Sequence, residues 1–355
     1  MLVLCCQFSF PQQANTVNSE QEVQGKSANQ EKKFQPGKFI FEHIGDAYEW
    51  HILTYKKVEV SIPLLCIVHS NISGWHIFCA TKLHHGATSY QGFKISESKA
   101  NEGKLVESMP DGSELKPLDL SITKDVFAIF ISLALLLYIF INVARSYKKR
   151  EGLAPKGMQN LFEPVILFIK DDVAIPSIGD KYEKYMPYLL SIFFFILFNN
   201  LLGLIPIFPG GANVTGNIAI TMVLAIFTFI LTTISGNKHY WKEVYNAPGV
   251  PWWLKIPVPL MPIVELVGLF TKPFVLMVRL FANITAGHII ALGFFSLIFI
   301  FGQMQAYLGY AISPLSLVFT MFMTMLELLV AFIQAYVFTM LSALYFGMAT
   351  AEEHE

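Results

Sequence analysis

Arg279, Asn283 and His288 lie in one run, ELVGLFTKPFVLMVRLFANITAGHII from Glu265 to Ile290, that is otherwise apolar enough for lipid. Each ionisable group there costs free energy and normally faces protein or water. A second apolar run carries Thr320, Glu327 and Gln334 at a spacing of seven, which on a helix sets them on one stripe facing a neighbour. The two long segments can therefore share a polar seam. An imidazole and a carboxylate both titrate within reach of neutral pH in the right surroundings, so His288 and Glu327 can relay a proton. Arg279 keeps its charge and cannot be the relay. At about 100° per residue, Asn283 lies about 40° from Arg279 and His288 about 180° from it, so Arg and His look in opposite directions. The residue types alone leave plainer roles open. Arg279 could form a structural ion pair with Glu327 or Glu265, Glu327 could serve in capping or pairing, and His288 could be a hydrogen-bonded packing histidine. For Asn283 and Gln334, interhelical hydrogen bonding is the default.

The elements that must hold these groups are membrane helices. The 355 residues are 54% hydrophobic and only 14% charged, with mean hydropathy +0.50, outside the soluble range. A net charge of -1 gives no basic or acidic surface for nucleic acid. Apolar segments predict spans at about 125–147, 187–207, 216–234, 262–301 and 314–348, with a shorter interfacial helix at about 160–170. Arg145, Lys148, Lys149 and Arg150 close the first span, and Lys238, Lys242 and Lys255 follow the third. Those ends are cytoplasmic by the positive-inside rule, leaving the N-terminal region outside. The last two segments, roughly 60 Å and 50 Å long if helical, are about twice the bilayer core. Either each breaks, with Pro273 and Gly293 as candidate points, or both lie steeply tilted.

Ahead of the spans the character changes. Met1 to Ala14 resembles a weak secretion signal without a basic start, and 15–33 is a polar tract unable to bury enough surface to fold. Over 34–120 short β-branched and aromatic runs, such as Trp50 to Tyr55, Val58 to Ile62 and Trp75 to Phe78, predict a small strand-rich external region. Ser96 to Pro117 reads as a polar linker. All four cysteines, Cys5, Cys6, Cys66 and Cys79, precede the first span. Cys66 and Cys79 flank a turn and are read as plain buried thiols or a hairpin disulfide. Zinc with His69 and His76 is a third, weaker option. Six of the nine histidines fall between His43 and His85, and their ordinary reading is strand surface.

Arg279-Leu280-Phe281-Ala282-Asn283-Ile284-Thr285-Ala286-Gly287-His288 is preceded by Glu265, Lys272 and Pro273. It is followed by Glu327-Leu328 and Gln334-Ala335-Tyr336-Val337-Phe338. Together these resemble subunit a of the rotary F-type ATP synthase, and Asn199-Asn200-Leu201-Leu202-Gly203-Leu204-Ile205-Pro206 is similar to that family's second-span signature. The likeness covers about 121–355, and the N-terminal region looks like the long external extension of some bacterial members. It implies an all-α polytopic subunit of the bacterial inner membrane, N-terminus outside and C-terminus cytoplasmic, without catalysis of its own and without cofactor or metal. Its partners would be the c-ring, subunit b, the other synthase subunits, lipid and protons. By the same resemblance Arg279 faces the c-ring carboxylate with Gln334 beside it. His288 and Glu327 line the external half-channel with Asn283, and Glu265 sits near the cytoplasmic one. The coupling ion, H⁺ or Na⁺, is left open, since its binding carboxylate belongs to another subunit. A secondary transporter or channel built on an intramembrane Arg–Glu pair is the alternative class, and usually shows an internal repeat or paired broken helices. Neither is evident, and no HExxH or GxSxG motif occurs.

Overall fold

The computed structural model describes residues 34–351 apart from 56–57, 87, 97, 99–100, 102, 110, 112, 206–207 and 246–259. The signal-like and tail segments, 1–14 and 15–33, lie outside the described residues. Two compact units emerge. One holds the described residues up to Phe39, Ala47–Lys124 and Leu297–Ile312; the other holds Ile40–Asp46, Asp125–Ser296 and the chain from Ser313 onward.

The first unit is built on short antiparallel ladders. After helix α1 (Pro36–Ile44), strand β1 (Glu49–Tyr55) pairs with β2 (Val58–Pro63), and β3 (Leu65–Ser70) sits between β4 (Gly74–Cys79) and β8 (Leu118–Asp119). A third sheet joins β5 (Phe93–Ile95), β6 (Leu105–Ser108) and β7 (Glu114–Leu115). The stretch from Ser96 to Pro117 is therefore not a linker. Leu105 and Val106 are fully buried in β6, and two adjacent apolar residues in a polar tract were too short a signal to reveal a strand. Cys66, Val68, Phe78 and Phe93 form the small core with Tyr48. The Tyr48 hydroxyl donates to Asp119 Oδ2 at 2.5 Å and accepts from the Leu105 amide at 3.1 Å, tying β8 and β6 to that core. Burial, with the Asp119 carboxylate beside it, raises the Tyr48 hydroxyl well above its ordinary range.

The cysteine alternatives separate on register. Cys66 faces Phe78 across the ladder and Leu65 faces Cys79, so the two thiols point to opposite faces of the sheet. Both are free. Burial pushes the Cys66 thiol up to about 12, which makes it unreactive. Cys79 Sγ instead accepts from the Thr81 hydroxyl at 3.3 Å. His76 has both ring nitrogens engaged, by Gln91 and Ser73, and no group of three metal-ligating side chains occurs among the described residues.

The second unit is helical: α2 (Lys124–Lys149), α3 (Met158–Phe168), α4 (Ile175–Ile178), α5 (Tyr182–Leu204), α6 (Ile218–Ser235), α7 (Lys238–Tyr245), α8 (Leu260–Met304) and α9 (Ala306–Thr350). Among the described residues five stretches are long and apolar enough to cross a membrane, α3 and α5 counting as one through the turn that joins them. Asp125 in the first turn of α2 and Lys148 and Lys149 in its last complement the helix dipole. The segment expected to lie at the interface is α3. It winds through a wider turn at Ile169–Ala174, where Ile169, Val173 and Ala174 are fully buried. α8 and α9 each run unbroken for 45 residues, so neither Pro273 nor Gly293 divides α8. At 1.5 Å per residue each is about 68 Å long, more than twice the hydrocarbon core.

The unit's core joins α5 (Leu189, Phe193, Ile196), α8 (Leu276, Leu280, Ile284) and α9 (Ala335, Phe338, Phe346). Lipid is as apolar as these side chains, so close packing rather than water exclusion holds membrane helices together, and small residues let backbones approach. α9 supplies them at Ala331, Ala335, Ser342, Ala343 and Ala349, all buried. Gly347 is the tightest point, since a Cβ there would meet the Ser177 carbonyl oxygen at 1.8 Å. That oxygen is backbone and cannot turn aside. Gly347→Ala is expected to destabilise the helical unit by about 1–3 kcal/mol, measured as a lower Tm of the purified chain in detergent. An unchanged Tm would show that α4 and α9 are not packed this closely.

Candidate functional site

α8 and α9 form an antiparallel pair whose register places the predicted residues. Phe294 stacks on Phe319 at 5.2 Å between centroids, the Ser316 hydroxyl donates to the Phe294 carbonyl at 2.5 Å, and His288 meets Glu327. Carried along the helices one residue for one, these pairings set Arg279 level with residues 334–336, the turn that begins at Gln334.

The Nδ1 of His288 lies 2.6 Å from Oε1 of Glu327, with side-chain exposures of 17% and 5%. Oε1 has no hydrogen bond of ordinary geometry, so the contact is a close approach of imidazole and carboxyl group rather than a linear bond. One glycine makes room for it. A Cβ at Gly287 would sit 3.1–3.3 Å from the Glu327 side chain, whereas one at Gly203 on α5 would sit at ordinary contact distance, 3.8 Å, from His288 Nε2. The imidazole thus spans from α9 to α5.

Polar groups of α5 surround this point. The Asn200 amide donates to the Ala331 carbonyl of α9 at 3.1 Å, and its oxygen accepts from Thr215 at 2.5 Å. The Thr285 hydroxyl of α8 reaches the Gly216 carbonyl at 3.4 Å, and Asn217, which caps α6, donates to the buried Asp125 at 2.9 Å. Thr215, Asn217 and Asp125 were not singled out by sequence. Their only local signal is a polar side chain at the edge of an apolar segment, which caps share.

Arg279 is exposed and makes no ion pair among the described residues. Glu327 is taken by His288, so the ion pair between Arg279 and Glu327 is not formed. Arg279 and His288 flank the inward stripe of Leu276, Leu280 and Ile284 on opposite sides, as their spacing requires. Thr320, Glu327 and Gln334 all turn inward. Asn283 is exposed, Gln334 is buried, and neither hydrogen-bonds to another helix among the described residues. That departs from the expectation for both: Asn283 is turned out from the helices of its own unit, and Gln334 is buried without an interhelical bond.

Glu265 belongs to another place. It is half-buried near the start of α8, beside Tyr240 of α7, whose hydroxyl is raised by burial and then by the Glu265 charge. Two turns on, Lys272 Nζ sits 5.8 Å from the Tyr345 ring centroid. Between Tyr240, Thr232, Lys272 and Tyr345 lies a cavity of about 20 Å³, room for about one water.

Five membrane-length helices with an arginine turned out and an imidazole–carboxylate pair turned in define a multi-pass membrane protein that carries titratable groups within its spans. The family model described as ATP synthase A chain matches residues 126–347, and a domain of unknown function matches 39–120. The chain is similar to ATP synthase subunit a of Chloroherpeton thalassium, 46% identical over 247 residues, covering 68% of this chain and 70% of that one. It is similar also to ATP synthase subunit a of Myxococcus xanthus, 39% identical over 308 residues, covering 84% and 90%. The chain belongs to the ATP synthase subunit a family.

Proposed function

We propose that this chain is the proton-translocating stator subunit of a bacterial F-type ATP synthase, offering two offset half-channels to a rotating c-ring. The observation that carries this is Arg279, an exposed cation inside a membrane-length helix with no acid among the described residues to meet it. A charge at mid-span costs about 3 kcal/mol by insertion scales, so a counter-charge from outside the chain is called for, and a c-ring carboxylate supplies it. Ala282 and Ala286 beside Arg279 are exposed and small, which lets another helix come close.

The mechanism follows from the two faces of α8. A fixed guanidinium lowers the pKa of a passing carboxylate, which releases its proton on one side of Arg279 and cannot keep one beside it. Protons reach the ring from outside through His288 and Glu327, with Asn283 lining the route, and leave on the cytoplasmic side near Glu265. Gln334 supports the helix at the level of Arg279. The length of α8 and α9 suits two steeply tilted helices laid along the ring, the N-terminus outside and the C-terminus inside. Ion flow past Arg279 then drives rotation and ATP synthesis, in assembly with subunit b and the rest of the complex.

Arg279→Ala in the reconstituted complex tests the proposal directly, since retained ATP-driven pumping would sink it. A second check addresses the inlet. Gly287→Val puts branched carbons where the Glu327 carboxyl lies, at distances of 3.1–3.3 Å already for a single Cβ. Proton flux through the complex is expected to fall about tenfold or more, while Gly287→Ala, which needs only a few tenths of an ångström of give, falls far less. Equal flux in the two variants would remove the His288–Glu327 contact from the route.

A further inference from the structure

The sheet β4-β3-β8 has a second apolar face that nothing covers among the described residues of its own unit. Cys66, Val68 and Phe78 point into the small core, so the alternate residues point away. On β3 these include Leu65 and Ile67, paired with Cys79 and Ile77 of β4. On the far side Leu118 pairs with His69, and the Leu120 amide donates to the Ile67 carbonyl at 2.9 Å. Trp75, Ile77, Leu118 and Leu120 are 59%, 63%, 59% and 54% exposed, and no Lys, Arg, Asp or Glu occupies this face. Antiparallel sheets with one buried face normally turn a polar one to water, and a contiguous exposed apolar patch marks a contact surface.

The chain's own continuity says what that contact is. Ladder pairing runs on past β8 to the Ile122 amide, which donates to the Leu65 carbonyl at 2.9 Å, and α2, a membrane-length helix, starts at Lys124. One residue separates the sheet from the span. The same unit also holds the hairpin tip between α8 and α9, where the Phe34 and Phe39 rings lie 5.3 Å and 6.3 Å from Phe299 and the Phe34 amide donates to Gln303 at 2.9 Å. Both stretches of chain continue directly into membrane-length helices. We infer that the outer face of β4-β3-β8 rests on the lipid bilayer, with Trp75, Ile77, Leu118 and Leu120 dipping into the headgroup–acyl boundary of the outer leaflet. Trp is favoured at that depth. The sheet's open edges keep its backbone at the wet headgroup level, because unpaired strand edges do not enter hydrocarbon. The inference is independent of the roles assigned to Arg279, His288 and Glu327.

A photo-activated amino acid placed at Ile77 in the assembled complex, reconstituted in phospholipid nanodiscs, reads the contact. Phospholipid adducts are expected at 77 and not at the exposed turn residue Ser113 taken as control. Adducts to another polypeptide or to a second copy of the chain overturn the inference, as do lipid adducts no more abundant at 77 than at 113. Trp75→Phe supplies a reading free of the folding of a labelled variant. The emission lost on that substitution should be quenched in the wild type by lipids brominated near the headgroup, and unquenched Trp75 emission equally overturns it.

Discussion

Arg279→Ala is expected to abolish ATP-driven proton pumping and proton-driven ATP synthesis in reconstituted vesicles while leaving uncoupled ATP hydrolysis and assembly intact. The size follows from what the guanidinium does. An opposite charge within about 4–6 Å lowers a carboxylate pKa by about 1–3 units, so its loss slows proton release to the outlet by about 10- to 1,000-fold. It also removes the fixed charge between the half-channels, so passive proton conductance through the membrane sector should persist although coupled transport is gone. That combination sets the prediction apart from misfolding, which would lower conductance and assembly together. Arg279→Lys is expected to rescue little, because an ammonium is a strongly hydrated point charge without the planar fork. Wild-type pumping in the alanine variant would leave the exposed arginine without the role given to it.

The second large effect concerns Glu327. It is 5% exposed and 2.6 Å from His288, whereas Glu265 is half-buried beside Tyr240 at the other end of the unit. Glu327→Gln keeps the volume and removes the proton-carrying group, and is expected to lower proton flux by about tenfold or more, in the range of a lost general acid–base group. Glu265→Gln should lower it severalfold less, because Glu265 is less buried than Glu327 and water can stand in for its carboxylate as a carrier. Exchanging the pair, His288→Glu with Glu327→His, retains one acid and one imidazole at contact distance and should recover part of the flux that Glu327→Gln loses. Equal losses for the two glutamine variants, measured as acid-induced flux into vesicles, would dissolve the assignment of separate routes.

Much of this was legible along the chain because it is local. Hydropathy marked α2, α5, α6, α8 and α9, and helical spacing set Arg279 and His288 on opposite flanks of α8 and turned Thr320, Glu327 and Gln334 to one side of α9. The motif around Arg279 carried the family. Other features depend on what lies opposite in space. Leu105 and Val106 gave no strand signal until β5 and β7 closed around them. Pro273 was a fair candidate break, yet α8 runs through it because neighbouring helices hold the turn that a lone proline would open.

By itself, then, the sequence determined a multi-pass helical protein with one arginine and one titratable pair in its two longest helices, since period and polarity are properties of a segment. Only the tertiary structure decided who meets whom. It gave Glu327 to His288 and left Arg279 facing outward, because Gly287 leaves the space for the first contact and no acid among the described residues reaches the second. It also left one face of a small sheet uncovered among the described residues, where alternation alone gives two faces but only packing says which is covered.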